Sequence, residues 1–431
     1  MMKVIVIGAS HGGLEAVAAL TERTDVTEIV WIDQRDIPAL VGSELKNIPV
    51  ERIKLFSHSK VTNVDPKKHM IEVQAGGKSL QESYDKLILG VGAMAAKLPV
   101  PGNQLAKIKT LRNRQDMNGL RQAALDPEIN HVVVIGAGYI GIGAVEIFAA
   151  AGKKVTVIDV FDHPLATYLD SELTAVLAKE MTEHGVTLAL GQRVEKFVGE
   201  GTVKEVVTDQ ATFSAELVVL SAGARPNTAW LKDAITLLPN GMIKTDDYMQ
   251  TSEPDIFAIG DATTVYSNAA KQELTIQLAT NAVRQGRFAV RNLTEKLHPF
   301  EGVQGSSGLK LFDYMFASTG LNTPASERFG TEVGSVFLKQ KILDNHLSAP
   351  VNAEVLFKLF YDPKTLKILG AQILSKKDLT AYINTVSLAI QAGFTIEQLA
   401  YTDFFFQPLF NTPWNLLNQA GQQAMKQAGI V

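Results

Sequence analysis

The sequence predicts an α/β fold with two Rossmann-like domains and a C-terminal α+β domain. Three observations lead to this prediction. A short β-branched strand, a glycine turn and a helix follow one another within residues 3–20, and the same succession returns within residues 131–152. From about residue 310 the pattern changes to three short strands and a long apolar helix, at residues 333–337, 355–361, 367–373 and 379–392.

Length, charge and hydropathy narrow the classes of partner. A chain of 431 residues with 46% hydrophobic content is long enough for two or three domains. Lys and Arg (41) nearly balance Asp and Glu (45) without a basic run, so no nucleic-acid partner is expected. No apolar segment is long enough to span a membrane, and residues 1–8 do not resemble a signal peptide. We therefore expect a cytoplasmic protein that acts on small molecules and has no membrane partner.

The first glycine turn has the composition of a dinucleotide site. Its segment GASHGG contains Gly8, Ser10, Gly12 and Gly13, between a strand and a helix. Glycine at the first position permits a tight turn, the last glycine permits close packing of helix on strand, and the helix start offers N–H groups to a pyrophosphate. The next strand ends at Asp33, where a carboxylate is suited to accept hydrogen bonds from a ribose.

The second turn has the full G-x-G-x-x-G pattern. It contains Gly136, Gly138 and Gly141, and the strand that follows ends at Asp159. A carboxylate at this position favours a free 2′-hydroxyl and repels a 2′-phosphate, which predicts NADH in preference to NADPH. Because each of the two patterns has its own acidic residue, the chain is predicted to bind two nucleotides.

A later segment indicates which turn binds flavin. The apolar strand near residues 256–259 ends at Gly260 and Asp261, and a helix over residues 278–286 follows. This resembles glutathione-reductase-like flavoproteins, in which the matching aspartate binds the ribitol of FAD. The start of the helix, with Ala279 and Thr280, is expected to face the flavin. The first turn is therefore assigned to FAD and the second to NAD(H).

Separate motifs, in order and spacing, resemble NADH peroxidase and its sister NADH oxidases. The resemblance implies an FAD-dependent NADH oxidoreductase that assembles as a homodimer through its C-terminal domain. It covers the first strand and the chain from Tyr84 to the C-terminus. The motifs are SHGG at 10–13, VIGAGYIGI at 134–142, RPNT at 225–228, YMQTS at 248–252, GVQGSSG at 302–308, DFFFQP at 403–408 and PWN at 413–415.

The sequence departs from that family at the catalytic centre. The family has a redox cysteine on a helix soon after the second strand, but this chain contains no cysteine and has Gly42 or Ser43 at that place. Gly143 also replaces a glutamate that the family uses near the nicotinamide. The family's nicotinamide-gating tyrosine is present as Tyr139, and the histidine beside its cysteine is present as His11. These two are the candidate catalytic residues, although for His11 a structural role in the first turn of the helix, near the pyrophosphate, is an equally good interpretation. No metal site is predicted.

Without a thiol, the predicted chemistry stops one step earlier than in the family. We expect hydride transfer from NADH to FAD and electron transfer to oxygen, giving H2O2, or to another small acceptor without a cysteine intermediate. The absence of the redox cysteine, and of the glutamate that Gly143 replaces, leaves a second interpretation open. In that interpretation the chain is a non-catalytic or weakly active protein that binds FAD and NAD(H) and senses redox state.

A linker rich in proline and glycine at residues 98–102, and the change of pattern near residue 310, predict the domain boundaries. Residues 1–117 and 243–309 form a discontinuous FAD domain, residues 118–242 the NAD domain, and residues 310–431 the interface domain. The aromatic run at 404–406 and Trp414 suit a dimer interface, although a buried core cluster is an equally good interpretation.

Overall fold

The computed structural model describes residues 2–343 and 352–430. The chain divides into two compact units. The first comprises Met1–Met94, Ala224–Tyr266 and Glu273–Gly302. The second comprises Ala95–Gly223, Ser267–Gln272 and Val303–Val431. The predicted NAD and C-terminal domains therefore lie mostly in one unit, while the three-domain division remains a prediction.

The first unit is built on a five-stranded parallel sheet. Its strands, in spatial order, are Ile256–Ala258, Lys86–Leu89, Met2–Ile7, Val26–Ile32 and Ile53–Phe56. A three-stranded antiparallel sheet is formed by Ser59–Asp65, Met70–Ala75 and Lys78–Ser83. The helices are His11–Thr21, Ile37–Val41 and Ala279–Arg291, with 3-10 turns at Gly42–Asn47, Ala229–Leu231 and Gly260–Ala262. The central strands are β-branched and buried on both faces, as expected where helices cover a parallel sheet.

The second unit contains another five-stranded parallel sheet. Its strands, in spatial order, are Thr187–Leu190, Lys154–Asp159, His131–Ile135, Leu217–Leu220 and Ile108–Thr110. The helices Arg114–Leu125, Tyr139–Ala150 and Ser171–Glu183 accompany it. A small antiparallel sheet follows, made by Val194–Val198, Glu205–Thr208 and Thr212–Ser214. The remaining short strands of the chain are Ala93–Ala95, Ala224–Pro226, Val265–Ser267 and Gln272–Leu274.

The C-terminal part of the second unit is a five-stranded antiparallel sheet with helices. In spatial order its strands are Ser307–Leu311, Tyr314–Gly320, Ile368–Ser375, Glu354–Tyr361 and Gly334–Lys341. Its helices are Thr323–Phe329, Ala381–Gln391, Ile396–Ala400 and Leu416–Gln427. The predicted fold class is confirmed, because two parallel sheets of Rossmann type and an α+β part occur in the predicted order.

One hydrophobic core is shared by the parallel sheet and the C-terminal sheet of the second unit. Val134, Phe148 and Leu177 from the Rossmann-like part belong to the same cluster as Phe316 and Leu374 from the C-terminal strands. All five side chains are fully buried. These two parts of the second unit are therefore packed as one body.

A buried ionic network joins the same two parts. The Nζ atom of Lys358 lies 2.8 Å from Asp170 and 2.7 Å from Glu172, and the Lys358 side chain is only 9% exposed. The Asp170 carboxylate also accepts hydrogen bonds from Gln372 and from the backbone and hydroxyl of Thr323. Such a buried pair requires good geometry and additional donors to offset desolvation, and both are present here.

Among the described residues, none of the helices has the length and apolar character needed to cross a membrane.

Candidate functional site

The first glycine turn has the close approaches that require glycine. Gly8 has φ +105°, and a Cβ there would overlap the carbonyl oxygen of Gly90. A Cβ on Gly13 would overlap the carbonyl oxygen of Gly8. The helix begins at His11, and the Ser10 side chain does not cap it. The turn thus leaves a concave backbone surface at a helix start, which fits the pyrophosphate of a dinucleotide.

Gly12 has a packing role that the sequence pattern does not reveal. The helices His11–Thr21 and Ala279–Arg291 cross here, and a Cβ on Gly12 would lie 3.1 Å from the Ala282 carbonyl oxygen. Gly286 on the other helix faces the Gly12 carbonyl in the same way. The crossing places the predicted flavin-facing helix directly against the first glycine turn. A contact between Gly12 and cofactor stays a prediction.

The carboxylate predicted to meet the first ribose is buried beside the turn. Asp33 is 5% exposed and accepts a hydrogen bond from the Ala9 N–H at 2.8 Å. It also accepts from the backbone N–H of Arg35 at 2.9 Å, and from its Nε and Nη2 at 3.1 and 3.2 Å. These four donors fill the usual acceptor positions of a carboxylate. A ribose hydroxyl at Asp33 therefore requires the Arg35 guanidinium, which is 34% exposed, to move aside.

The segment assigned to the flavin lies in the same unit. Asp261 belongs to the 3-10 turn Gly260–Ala262, and the following helix begins at Ala279 and Thr280 without a side-chain cap. The fully buried Gln285 accepts from the Gly260 N–H at 2.7 Å and donates to Thr263 at 3.3 Å.

Gln285 thus fixes the turn that contains Asp261, a role that the sequence reasoning missed. The only sequence signal for it is an amide on the buried face of the helix.

The second turn repeats the geometry of the first. Gly136 has φ +99°, and a Cβ there would crowd the Ser221 carbonyl. A Cβ on Gly141 would overlap the Gly136 carbonyl oxygen. At Gly138 the nearest atom to a Cβ would be a Tyr168 ring carbon at 3.5 Å, an ordinary contact, so packing alone does not require glycine there. A cofactor that approaches the backbone would explain that residue.

Asp159 is the last residue of the strand Lys154–Asp159, and its carboxylate has different hydrogen-bond partners from that of Asp33. Its carboxylate accepts from the backbone N–H groups of Ala137 at 2.5 Å and Phe161 at 3.0 Å. Within residues 2–343 and 352–430 it forms no ion pair, so its negative charge is not compensated by a cation. Its remaining acceptor positions are available for a ribose hydroxyl.

The two candidate catalytic side chains have contrasting surroundings. The Tyr139 hydroxyl accepts a hydrogen bond from Ser307 at 3.1 Å, and its ring packs edge-on against Tyr168 with centroids 4.5 Å apart. Burial raises the pKa of Tyr139, so its hydroxyl is neutral at physiological pH. His11 is exposed, and its Nδ1 lies 3.3 Å from the Ser10 hydroxyl. Catalytic roles for both remain predictions.

The two departures from the family pattern are visible in the fold. Gly42 and Ser43 are exposed, and they lie where the short helix Ile37–Val41 passes into the 3-10 turn Gly42–Asn47. Gly143 lies on the helix Tyr139–Ala150, and a Cβ there would meet nothing within 4 Å. The glycine in place of the family's glutamate is therefore not imposed by crowding.

Two protein-family models together match most of the chain. The family model for pyridine nucleotide-disulphide oxidoreductases matches residues 2–286, and that for their dimerisation domain matches residues 306–416. An NADH oxidase of Enterococcus faecalis is 39% identical, covering 99% of this chain and 100% of that protein.

Two solved structures are also similar. A water-forming NADH oxidase from Lactobacillus brevis, bound to NADH, has a TM-score of 0.93 and 33% identity, covering 100% of this chain and 99% of that one. An engineered water-forming NADPH oxidase bound to NADPH, a variant of the same L. brevis enzyme, has a TM-score of 0.94 and 33% identity over 99% of both chains.

Proposed function

The chain belongs to the pyridine nucleotide-disulphide oxidoreductase family, and we propose that it oxidises NADH with molecular oxygen and releases H2O2. It is an FAD-dependent NADH oxidoreductase of the NADH oxidase group. The observation that supports this product is the absence of cysteine from all 431 residues.

FAD and NADH are the cofactors, and the residues around both turns fit them. We assign FAD to the turn with Gly8 and Gly13, together with Asp33 and Asp261, and the helix start at Ala279 and Thr280. The close approaches at Gly8 and Gly13 leave a backbone surface that a side chain would fill. When bound, FAD supplies the ring that accepts hydride and passes electrons to an acceptor. The protein contributes the binding and orientation of both nucleotides.

We assign NADH to the second turn and attribute its preference over NADPH to Asp159. An unpaired carboxylate at the ribose position accepts a hydrogen bond from a 2′-hydroxyl and repels a 2′-phosphate. The engineered NADPH oxidase supports this. Its named changes include a glycine and an aspartate eighteen positions apart, and Gly141 and Asp159 have the same spacing.

The proposed product follows from the electron balance. NADH, one proton and O2 give NAD+ and H2O2 by transfer of a single electron pair. Forming water requires a second NADH and cleavage of the O–O bond, which the family achieves through a thiolate and its sulfenate. A serine hydroxyl at position 43 cannot pass through a sulfenate, and a thioether needs a separate reductase after oxidation.

An oxygen electrode with parallel NADH absorbance tests the product directly. The expected stoichiometry is one NADH for each O2, with H2O2 detected at the same yield. Catalase should then return half of the oxygen consumed. The variant Ser43→Ala is the matched control and should give the same stoichiometry, because its hydroxyl takes no part.

Three results would contradict the proposal. Two NADH per O2 without catalase would mean that water forms without a thiol. NADH consumption accelerated by added peroxide would indicate peroxidase activity. A protein that binds both nucleotides but consumes no NADH would favour the redox-sensing interpretation.

We further propose a homodimer formed through the C-terminal part. The match to the dimerisation domain supports it, as does a cluster of exposed apolar side chains near the C-terminus. That cluster comprises Tyr401, Phe405, Phe406, Leu409, Phe410 and Trp414. Oxygen is the proposed small-molecule acceptor and the cytoplasm the proposed location. Sedimentation at several protein concentrations tests the assembly, and a monomer throughout would contradict it.

A further inference from the structure

Both glycine turns contain a peptide plane that is bonded at its two ends by side chains. In the first turn, the indole Nε1–H of Trp31 donates to the Gly8 carbonyl at 3.0 Å. The N–H on the other side of the same peptide, that of Ala9, donates to Asp33 at 2.8 Å. Because the peptide group is planar, fixing its carbonyl and its N–H fixes the orientation of the whole plane.

The second turn is bonded in the same way by different residues. The Ser221 hydroxyl is within hydrogen-bond distance of two carbonyls, that of Ile135 at 2.8 Å and that of Gly136 at 2.9 Å, and it shares its one proton between them. The Ala137 N–H of the same peptide donates to Asp159 at 2.5 Å. The Trp31 indole in the first turn and the Ser221 hydroxyl in the second turn thus occupy equivalent positions.

The orientation of this peptide affects the helix start. The first glycine has positive φ in both turns, and the chain must reverse there to begin the helix three residues later. If that peptide rotated, the N–H groups that face the pyrophosphate would turn away from it. Holding the plane before the ligand arrives reduces the entropy lost on binding.

We propose that Trp31 and Ser221 are positioning residues for FAD and NAD(H), respectively, each acting through the carbonyl of the first glycine. This inference rests on the proposed assignment of the two cofactors. Trp31 is fully buried in the central sheet, so its ring also packs in the core. The test must therefore separate the donor from the ring.

The experiment compares three variants of the full-length protein. Trp31→Phe keeps an aromatic ring and removes the donor, Ser221→Ala removes the hydroxyl, and Ile29→Val removes one buried methylene from the same strand as Trp31. The dissociation constant of FAD is measured by ultrafiltration of serially diluted holoprotein. That of NAD+ is measured by calorimetry, and the melting temperature is recorded for each variant.

The expected result is reciprocal. Trp31→Phe should weaken FAD about fivefold, the effect of one lost hydrogen bond, and leave NAD+ affinity unchanged. Ser221→Ala should weaken NAD+ about fivefold and leave FAD affinity unchanged. Ile29→Val should lower the melting temperature without changing either affinity.

Two outcomes would overturn this inference and leave the proposed function standing. One is tight FAD binding by the unaltered protein together with an unchanged FAD affinity in Trp31→Phe. The other is an equal loss of FAD affinity in Ile29→Val, which would assign the effect to core packing. An unaltered protein that does not bind FAD would overturn the proposed function and this inference together.

Discussion

Replacing Lys358 with methionine tests whether the buried ionic network stabilises the second unit. Methionine matches the length of the lysine stem but removes the cation that lies 2.8 Å from Asp170. Asp170 would then be a buried carboxylate, 4% exposed, and among the residues that the structure describes its side chain would keep hydrogen bonds only from Thr323 and Gln372. Removing one partner of a buried pair typically costs about 3–5 kcal/mol.

We expect the lower end of that range, about 3 kcal/mol, because the remaining donors still solvate the carboxylate. For a unit of this size that corresponds to a fall in melting temperature of about 6–12 °C. Burial alone lowers the pKa of Lys358, but its bonds with Asp170 and Glu172 outweigh this and raise it above its usual value. The cation is therefore present throughout the physiological pH range.

Scanning calorimetry at neutral pH measures the effect, with two controls. Lys364→Met removes an exposed lysine that lies 3.3 Å from Glu332, and it should change the melting temperature by about 1 °C at most. The double variant Asp170→Asn with Lys358→Met removes both charges and should recover most of the loss. A melting temperature for Lys358→Met within about 2 °C of the unaltered protein would refute the reasoning. A double variant as unstable as the single one would show that the effect arises from packing.

Two further predictions concern the nucleotide preference and a buried hydroxyl. Asp159→Asn keeps an acceptor for the Ala137 N–H but removes the negative charge. The ratio of kcat/KM for NADH to that for NADPH should therefore fall about tenfold or more. An unchanged ratio would contradict the role of Asp159. Tyr84→Phe should raise stability by about 1 kcal/mol, because the Tyr84 hydroxyl is buried without a hydrogen-bond partner among the described residues; a loss of stability in urea unfolding would contradict this. Burial, with nearby carboxylates, raises the pKa of Tyr84, so ionisation of its hydroxyl lowers stability only above pH about 10, and Tyr84→Phe should remove that alkaline loss.

The sequence predicts the fold and the two turns because their determinants are local. A glycine such as Gly8 or Gly136 is required by its own backbone conformation, and its spacing to the next acidic residue is set by one strand and one helix. Three of the five C-terminal strands lie within a few residues of the prediction. The other two, Ser307–Leu311 and Tyr314–Gly320, are not predicted.

The residues whose side chains form hydrogen bonds to these turns could not be predicted from local sequence patterns. Trp31 and Gln285 occupy apolar faces, where a sequence pattern indicates burial but not the direction of an N–H group. Ser221 lies more than eighty residues after the turn it contacts. The pairing of Lys358 with Asp170 likewise depends on tertiary packing, so neither residue alone indicates a buried ion pair.

The shared core of the second unit bears on how this protein could have diversified. Phe316 and Leu374 fill the same interior as Phe148 and Leu177, so a fragment ending near residue 309 would expose apolar surface across the Rossmann-like part. Limited proteolysis should accordingly not release a stable nucleotide-binding fragment from this unit. If the C-terminal segment were exchanged between homologues, the core side chains of the Rossmann-like part would have to change with it. Such an exchange succeeds only where the two sets of side chains together fill the same core volume.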